Sequence, residues 1–356
     1  MATLISLERF VAPYRYEQEE VTGWVRAWLE EDAPPGASRL LSVYASAGVK
    51  ARSSVVPIEE VFHPGDFETQ NDRFARIAKE AGIDVSRRAL ASAGLEPTEI
   101  DFIVSVSCTG FMIPAVDAYV AEALGMGPRL GRLPVTESGC AGGVVGLART
   151  RDYLAAHPDR SVLLLALEFS SLTFQRWDRS PTNVVSTAIF GDGGAAAVLV
   201  GPDHPRARGA ALARVADAES RFFGGTTHLM GFRLRNTGLQ IILDKGLAPF
   251  VRREVAGAVE DFLAPRGLRR EDIQRWILHP GGRRIIEVMS EKLGLDPRDL
   301  APTEAVLARH GNMSSVTVLF VLDEILRCHR PEAGSRGLLG AFGPGFGAEL
   351  ALLEFL

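Results

Sequence analysis

The sequence predicts an α/β fold made of two duplicated halves, each with a mixed sheet, packed face to face around central helices. Residues 87 to 108 (RRALASAGLEPTEIDFIVSVSC) and 259 to 280 (VEDFLAPRGLRREDIQRWILHP) share one plan. Each ends a helical pattern at Gly-Leu, crosses an acidic turn to an Ile and enters an apolar strand. A constant offset of 173 residues separates Gly94 from Gly267 and Ile100 from Ile273. The following elements keep step at an offset of 172, where SGCAGGVVGLARTRDYL falls against HGNMSSVTVLFVLDEIL and sets Cys140 opposite Asn312. Last come FGDGGAAAVLV and FGPGFGAELALL, two glycine turns that each run into a β-type apolar stretch. A repeat this long is not a solenoid unit; it is a doubled α/β half. The boundary is expected between Gly201 and Gly231, which divides the chain into 1-215 and 216-356.

With 356 residues, 46% hydrophobic and 23% charged, the chain has the make-up of a globular protein with a large core. A net charge of -5 argues against general nucleic-acid binding, which needs a basic surface. Three cysteines, Cys108, Cys140 and Cys328, are too few and too scattered for a disulfide framework or a zinc site. No metal is expected, and a reducing cytoplasm fits best. The N-terminal stretch lacks a basic region ahead of its apolar run, so no signal peptide is expected. No apolar run reaches membrane-spanning length, so no membrane span is expected either. The longest runs, SVLLLALEF and VTVLFVLDEIL, read as a buried strand and a buried helix.

Cys140 sits where a strand gives way to a helix, beside backbone N–H groups that carry the positive end of the helix dipole. That setting favours a thiolate, and the small neighbours Ala141, Gly142 and Gly143 leave room for an acyl group. A buried core cysteine is the alternative. Among seven histidines, His279 is the best framed as its partner, since it ends the strand RWIL and is followed by Pro280, Gly281 and Gly282. A simple turn histidine is the other reading. Asn312 in RHGNMSS reads either as a helix N-cap or as an amide donor. If the halves are related by a pseudo-twofold, the helices led by Cys140 and Asn312 point their N-termini at one place. A sulfur, an imidazole and a carboxamide there, with no carboxylate base, suit the stabilisation of an enolate. The glycines of GDGG and GPGFGAE precede β-type runs instead of helices, so they are packing turns and not a dinucleotide fingerprint.

With GCAGG, HPGG, HGNMSS and AFGPGFGAE in this order and spacing, the chain resembles the type III polyketide synthases, the chalcone synthase-like group of the thiolase superfamily. The VSCTGFMIP segment is especially similar to bacterial members. The resemblance covers nearly the whole chain and implies a thiolase-like αβαβα layered fold with two pseudo-equivalent halves. It implies an acyltransferase in which Cys140 accepts the starter from coenzyme A, and His279 supports the thiolate. His279 and Asn312 then hold the enolate formed as malonyl-CoA loses CO2, and Phe190 walls the malonyl carboxylate. Coenzyme A thioesters serve as substrates and no cofactor is implied.

By the same resemblance Cys108, Ser170, Thr173, Phe232, Ile241 and Ser314 are cavity positions that choose starter, chain length and cyclisation. Ile241 stands where plant members carry a second gatekeeper Phe, Cys108 where they often carry Thr, and Phe232 where chalcone synthases carry a small residue. Chalcone formation from a bulky phenylpropanoid starter is therefore not expected. Arg39, Lys50, Arg52, Gly281, Gly282 and Arg284 fall near the family's coenzyme A site, with solvated surface charge the alternative for the basic ones. Ile113 matches a residue that crosses the family's dimer interface, so a cytoplasmic homodimer is expected. The first expectation for the starter is a fatty acyl-CoA giving an alkylpyrone or alkylresorcinol. Malonyl-CoA priming of a naphthalene-type product follows. A ketoacyl synthase III-like single condensation is the alternative from another class of enzyme, and a non-catalytic acyl-binding protein is the third reading.

Overall fold

The computed structural model describes residues 1–32, 37–209 and 211–356. Among them a nine-stranded sheet runs in the order Gly131–Val135, Phe102–Val106, Ser161–Phe169, Asp192–Val200, Ala2–Val11, Ala213–Phe222, Gly347–Phe355, Arg336–Gly343, Arg275–Leu278. The expected duplication is visible in this order. At its centre Ala2–Val11 pairs antiparallel with Ala213–Phe222 through Ala2 with Val215, Thr3 with Arg214 and Leu4 with Ala213. Moving outward from that seam, each half repeats itself. The last strand lies antiparallel beside the first, the next strand is antiparallel to it, and the outer one is parallel. The first half carries one further edge strand, Gly131–Val135. A division at 215/216 falls inside strand Ala213–Phe222, whose long partner is Gly347–Phe355, so the seam of the fold lies ahead of Ala213.

The helix caps repeat as well. Helix Phe67–Ala93 starts at Asp66, whose carboxylate accepts the Thr69 N–H at 2.9 Å, and stops at Gly94 with φ 62°. Its counterpart Leu247–Leu263 runs into a short 3-10 turn that stops at Gly267 with φ 68°. Left-handed backbone is where glycine is the least costly residue, and it frees the chain to turn toward the next strand. After each cap a carboxylate three residues on takes a backbone N–H: Glu99 from Glu96 at 2.7 Å, and Asp272 from Arg269 at 2.8 Å.

Strand Ser161–Phe169 is buried along its whole length because both of its faces are covered. Val162, Leu164 and Ala166 join one apolar cluster, while Leu163, Leu165, Leu167 and Phe169 join another with helix Phe67–Ala93. The first cluster is the centre of the molecule. It holds helices Gly142–Ala156 and Thr317–Glu324 between inward-facing residues of both half-sheets, including Val104, Ala197, Ile277, Leu339 and Leu353. On the far side Trp276, Leu278, Leu338 and Leu350 pack on helices Leu247–Leu263 and Arg283–Leu293. The layers are helix, sheet, helix, sheet, helix. Every residue of Thr317–Glu324 is buried, as a helix enclosed on all sides requires. Each fully buried Leu of this layer contributes about 1.5–3 kcal/mol through the hydrophobic effect. No helix among the described residues is long and apolar enough to cross a membrane.

Candidate active site

The pseudo-twofold brings two helix starts together at the end of the central layer. Gly139–Ala141 form a 3-10 turn that leads into helix Gly142–Ala156, so Cys140 sits at the end where backbone N–H groups lack intrahelical acceptors. The thiol is free and buried. In the other half the helix begins at Thr317, after a 3-10 turn Ser314–Val316. Asn312 is thus not the residue that opens that helix. It lies ahead of the turn, and its Oδ1 accepts the Ser314 N–H at 2.8 Å and the Thr317 hydroxyl at 3.4 Å. Ser314 is held at φ 48°, a costly conformation for a residue with a side chain. Its Oγ consequently stands 3.7 Å from Cys140 Sγ and 3.6 Å from Cys108 Sγ.

Asn312 is tied down on every side. Its Nδ2 donates to the Gly281 carbonyl at 3.0 Å, its backbone N–H donates to Ile189 O at 2.7 Å, and its carbonyl accepts from Gly191 N–H at 3.0 Å. The last two bonds bracket Phe190, so Phe190 and Asn312 share one backbone ladder. Gly281 takes φ 60°, which turns its carbonyl toward the amide. The turn that holds Asn312 is also the turn that follows His279. His279 comes directly after strand Arg275–Leu278, and its N–H extends the ladder by donating to Gly340 O at 2.9 Å. Its ring is buried, with neither nitrogen hydrogen-bonded to the protein.

Burial sets the electrostatics. Desolvation pushes the Cys140 thiol up to about 11, against the lowering pull of the Ser314 hydroxyl and the Asn312 amide. The same cause pushes the His279 imidazole down to about 3. Burial thus opposes the thiolate that the helix end favours. A carboxylate that the sequence reading passed over also lies close. Glu168, fully buried in strand Ser161–Phe169, accepts from Cys108 N–H at 3.1 Å, Thr109 Oγ1 at 2.9 Å and Ser315 Oγ at 2.6 Å. Burial raises it to about 7. Its signal in the sequence was a lone acid inside SVLLLALEF.

A cavity of about 410 Å³ opens onto the thiol. Its wall contains Cys140, Phe190 and all six expected cavity positions: Cys108, Ser170, Thr173, Phe232, Ile241 and Ser314. Asn312 and His279 are not among the wall residues; both are buried, and Asn312 reaches the site through Ser314, which touches Cys140. Phe232 and Ile241 face each other across the hairpin of strands Met230–Arg235 and Gly238–Leu243. The expected coenzyme A group divides. Arg39, Lys50 and Arg284 are exposed, and Gly282 opens helix Arg283–Leu293. Arg52 is buried instead, at the cavity wall, and its guanidinium donates to backbone carbonyls at the end of helix Pro181–Ile189. Ile113 is fully exposed on the single chain.

Residues 66–204 match the model for the N-terminal domain of chalcone and stilbene synthases, and residues 214–356 match its C-terminal counterpart. The chain is 39% identical over 345 residues to a 1,3,6,8-tetrahydroxynaphthalene synthase of Streptomyces peucetius, covering 96% of this chain and 90% of that one. A phloroglucinol synthase of Pseudomonas fluorescens is 30% identical, with 87% of each chain covered. Among solved structures, the tetrahydroxynaphthalene synthase of Streptomyces coelicolor, a bacterial type III polyketide synthase, superposes with a TM-score of 0.91 at 32% identity and 99% coverage of both chains. A polyketide synthase of the brown alga Ectocarpus siliculosus gives 0.91 at 29% identity, covering 100% of this chain and 98% of that one. Two family domains, relatives that match over nearly the whole chain and a matching fold make this chain a type III polyketide synthase of the chalcone and stilbene synthase family.

Proposed function

We propose that the protein primes itself with malonyl-CoA, extends the chain with further malonyl-CoA units and closes the product to a compact polyhydroxylated aromatic. The supporting observation is the cavity. At about 410 Å³ it lies at the small end of the roughly 300–1,000 Å³ typical of ligand sites, which suits a fused-ring product better than one with a long tail. The relatives named for tetrahydroxynaphthalene synthesis support the same choice.

In loading, Cys140 Sγ attacks the thioester carbonyl as its proton passes to His279, and the imidazolium returns that proton to the departing coenzyme A sulfur. Burial disfavours charge on either group, so the proton is handed over as the carbonyl is attacked. The malonyl thioester then loses its carboxylate as CO2, and the electron pair moves into an enolate. One Asn312 Nδ2–H is committed to Gly281 and the second is available to the enolate oxygen. Neutral His279 offers one ring N–H to the same oxygen. The carbanion attacks the Cys140 thioester, a C–C bond forms, and Cys140 leaves as the thiolate that takes up the next intermediate. Phe190 presents an apolar wall that favours neutral CO2 over carboxylate. The exposed apolar Ile113 supports a homodimer in which it is covered, and the molecule is expected to work in the cytoplasm.

A fatty acyl starter is the second reading. What favours it is a cavity wall that reaches the surface at Phe111, Phe232 and Leu234, an apolar exit for an alkyl chain. Incubation with a panel of acyl-CoAs and malonyl-CoA, read by mass spectrometry, tests both. The proposal predicts the same aromatic product with or without added starter. Products that carry the added acyl chain would move the assignment to the second reading. A single extension with every starter would move it to a ketoacyl synthase III-like reaction.

A further inference from the structure

We propose that Arg52 is a positioning residue for decarboxylation, which clamps the carbonyl end of helix Pro181–Ile189 so that Phe190 and Asn312 are held in register. An α-helix leaves its last carbonyls without intrahelical donors, and a cation there also meets the negative end of the dipole. In this helix those carbonyls are taken chiefly by Arg52 and Asn312, with Gln18 as a second donor to Ala188. Arg52 donates to Thr187 O, to Ala188 O at 2.7 Å and to Phe190 O at 2.9 Å. The carbonyl between them, Ile189 O, takes the Asn312 N–H at 2.7 Å. One helix end is therefore held by Arg52 on one side and by the backbone N–H of Asn312 on the other.

The guanidinium is itself fixed. Arg52 is in strand Ala51–Ser54, paired with Tyr14–Glu17, and Gln18 follows that partner strand. Gln18 accepts from Arg52 through Oε1 and donates through Nε2 to Ala188 O at 3.0 Å. Tyr44 OH bonds Thr187 Oγ1 from a third direction. Asp192, the nearest acid to act on Arg52, is occupied by Val55 N–H and the Ser171 N–H, each at 2.8 Å. The buried cation is thus balanced chiefly by carbonyl dipoles. Only a planar fork of several donors reaches three carbonyls at once, which a lysine ammonium on its flexible stem does not reproduce.

The inference rests on the decarboxylation role given above to Asn312 and Phe190. Arg52→Lys and Gln18→Leu test it, with malonyl-CoA and with malonyl-N-acetylcysteamine, a thioester that lacks nucleotide phosphates. In Arg52→Lys the decarboxylation kcat is expected to fall by about 10- to 100-fold on both substrates, the scale of an ångström of misplacement. KM should change less than about threefold, and iodoacetamide alkylation of Cys140 should stay within about twofold of wild type. Gln18→Leu should show the same pattern more weakly, and it carries the test if Arg52→Lys does not fold. A raised KM confined to malonyl-CoA would make Arg52 a nucleotide contact. Parallel losses of decarboxylation, alkylation and melting temperature would make it structural only, and unchanged rates in both variants would also overturn the inference. Asn312→Ala keeps the two levels apart: normal decarboxylation there overturns the site reading. A slow Asn312→Ala beside a normal Arg52→Lys overturns this inference alone.

Discussion

Gly143 and Ser315 are in backbone contact: a Cβ added to Gly143 would come within 2.3 Å of the Ser315 carbonyl oxygen. The helix that follows Cys140 and the turn that follows Asn312 touch at their second residues. That contact brings a sulfur and an amide from positions 172 residues apart to one site.

Replacing Gly143 with Ala should therefore destabilise the protein, although in a helix interior the change ordinarily stabilises by about 1 kcal/mol. Here the helix starts must separate, and overpacking of this kind costs about 1–3 kcal/mol. Urea unfolding measures the loss. Acyl loading should slow with it, since Cys140 and Ser314 move apart.

In the proposed loading step His279 takes the Cys140 proton, and His279→Gln removes that base. The midpoint of iodoacetamide alkylation against pH should then move to higher pH, because burial opposes the thiolate and no base is left to take its proton. At pH 7 the alkylation rate should fall by at least about tenfold, as the thiolate fraction requires. An unchanged profile would mean that the imidazole does not serve the thiol.

The same histidine should show in acid stability. Its pKa is held near about 3 in the folded chain, against 6.5 for an exposed imidazole. Between these values the unfolded chain binds a proton that the native state refuses. Stability from this group is thus whole above about 6.5 and declines as pH falls toward about 3. The full difference is on the order of several kcal/mol. Relative to its own value at pH 7, His279→Gln should lose less stability than wild type when the pH is lowered to 5.

Phe232→Ala enlarges the cavity where Phe232 faces Ile241 across the hairpin. We expect kcat/KM for a phenylpropanoid-CoA starter to rise by about 10-fold or more, the scale of discrimination by pocket volume. A starter panel with product masses is the readout.

Much of this architecture was legible in the chain because duplication leaves a constant offset. Gly94 and Gly267 mark equivalent helix stops, and SVLLLALEF reads as a strand covered on both faces. Cys140 and Asn312 stood out through short motifs whose glycines and small residues permit close backbone approach, whereas Ser314 and the other wall positions followed only from the resemblance to the chalcone synthase-like family. Arg52 was misplaced because a basic residue in sequence does not reveal whether its guanidinium meets water or carbonyls. Those carbonyls, from Thr187 to Phe190, lie more than a hundred residues away. Glu168 was missed for a related reason: its role depends on Cys108, Thr109 and Ser315, which only folding brings to it. The balance of thiol and imidazole charge was beyond reach too, since it follows from burial and not from spacing.

The central claim is a division of labour between Cys140 and Asn312, and intact-protein mass spectrometry alongside CO2 release from malonyl-CoA tests it most directly. Cys140→Ala should never carry an acyl group. Asn312→Ala should load starter as wild type does while decarboxylation falls by about 10²–10³-fold, the usual cost of losing one oxyanion donor. Normal CO2 release by Asn312→Ala, or an acyl adduct on Cys140→Ala, would contradict the account.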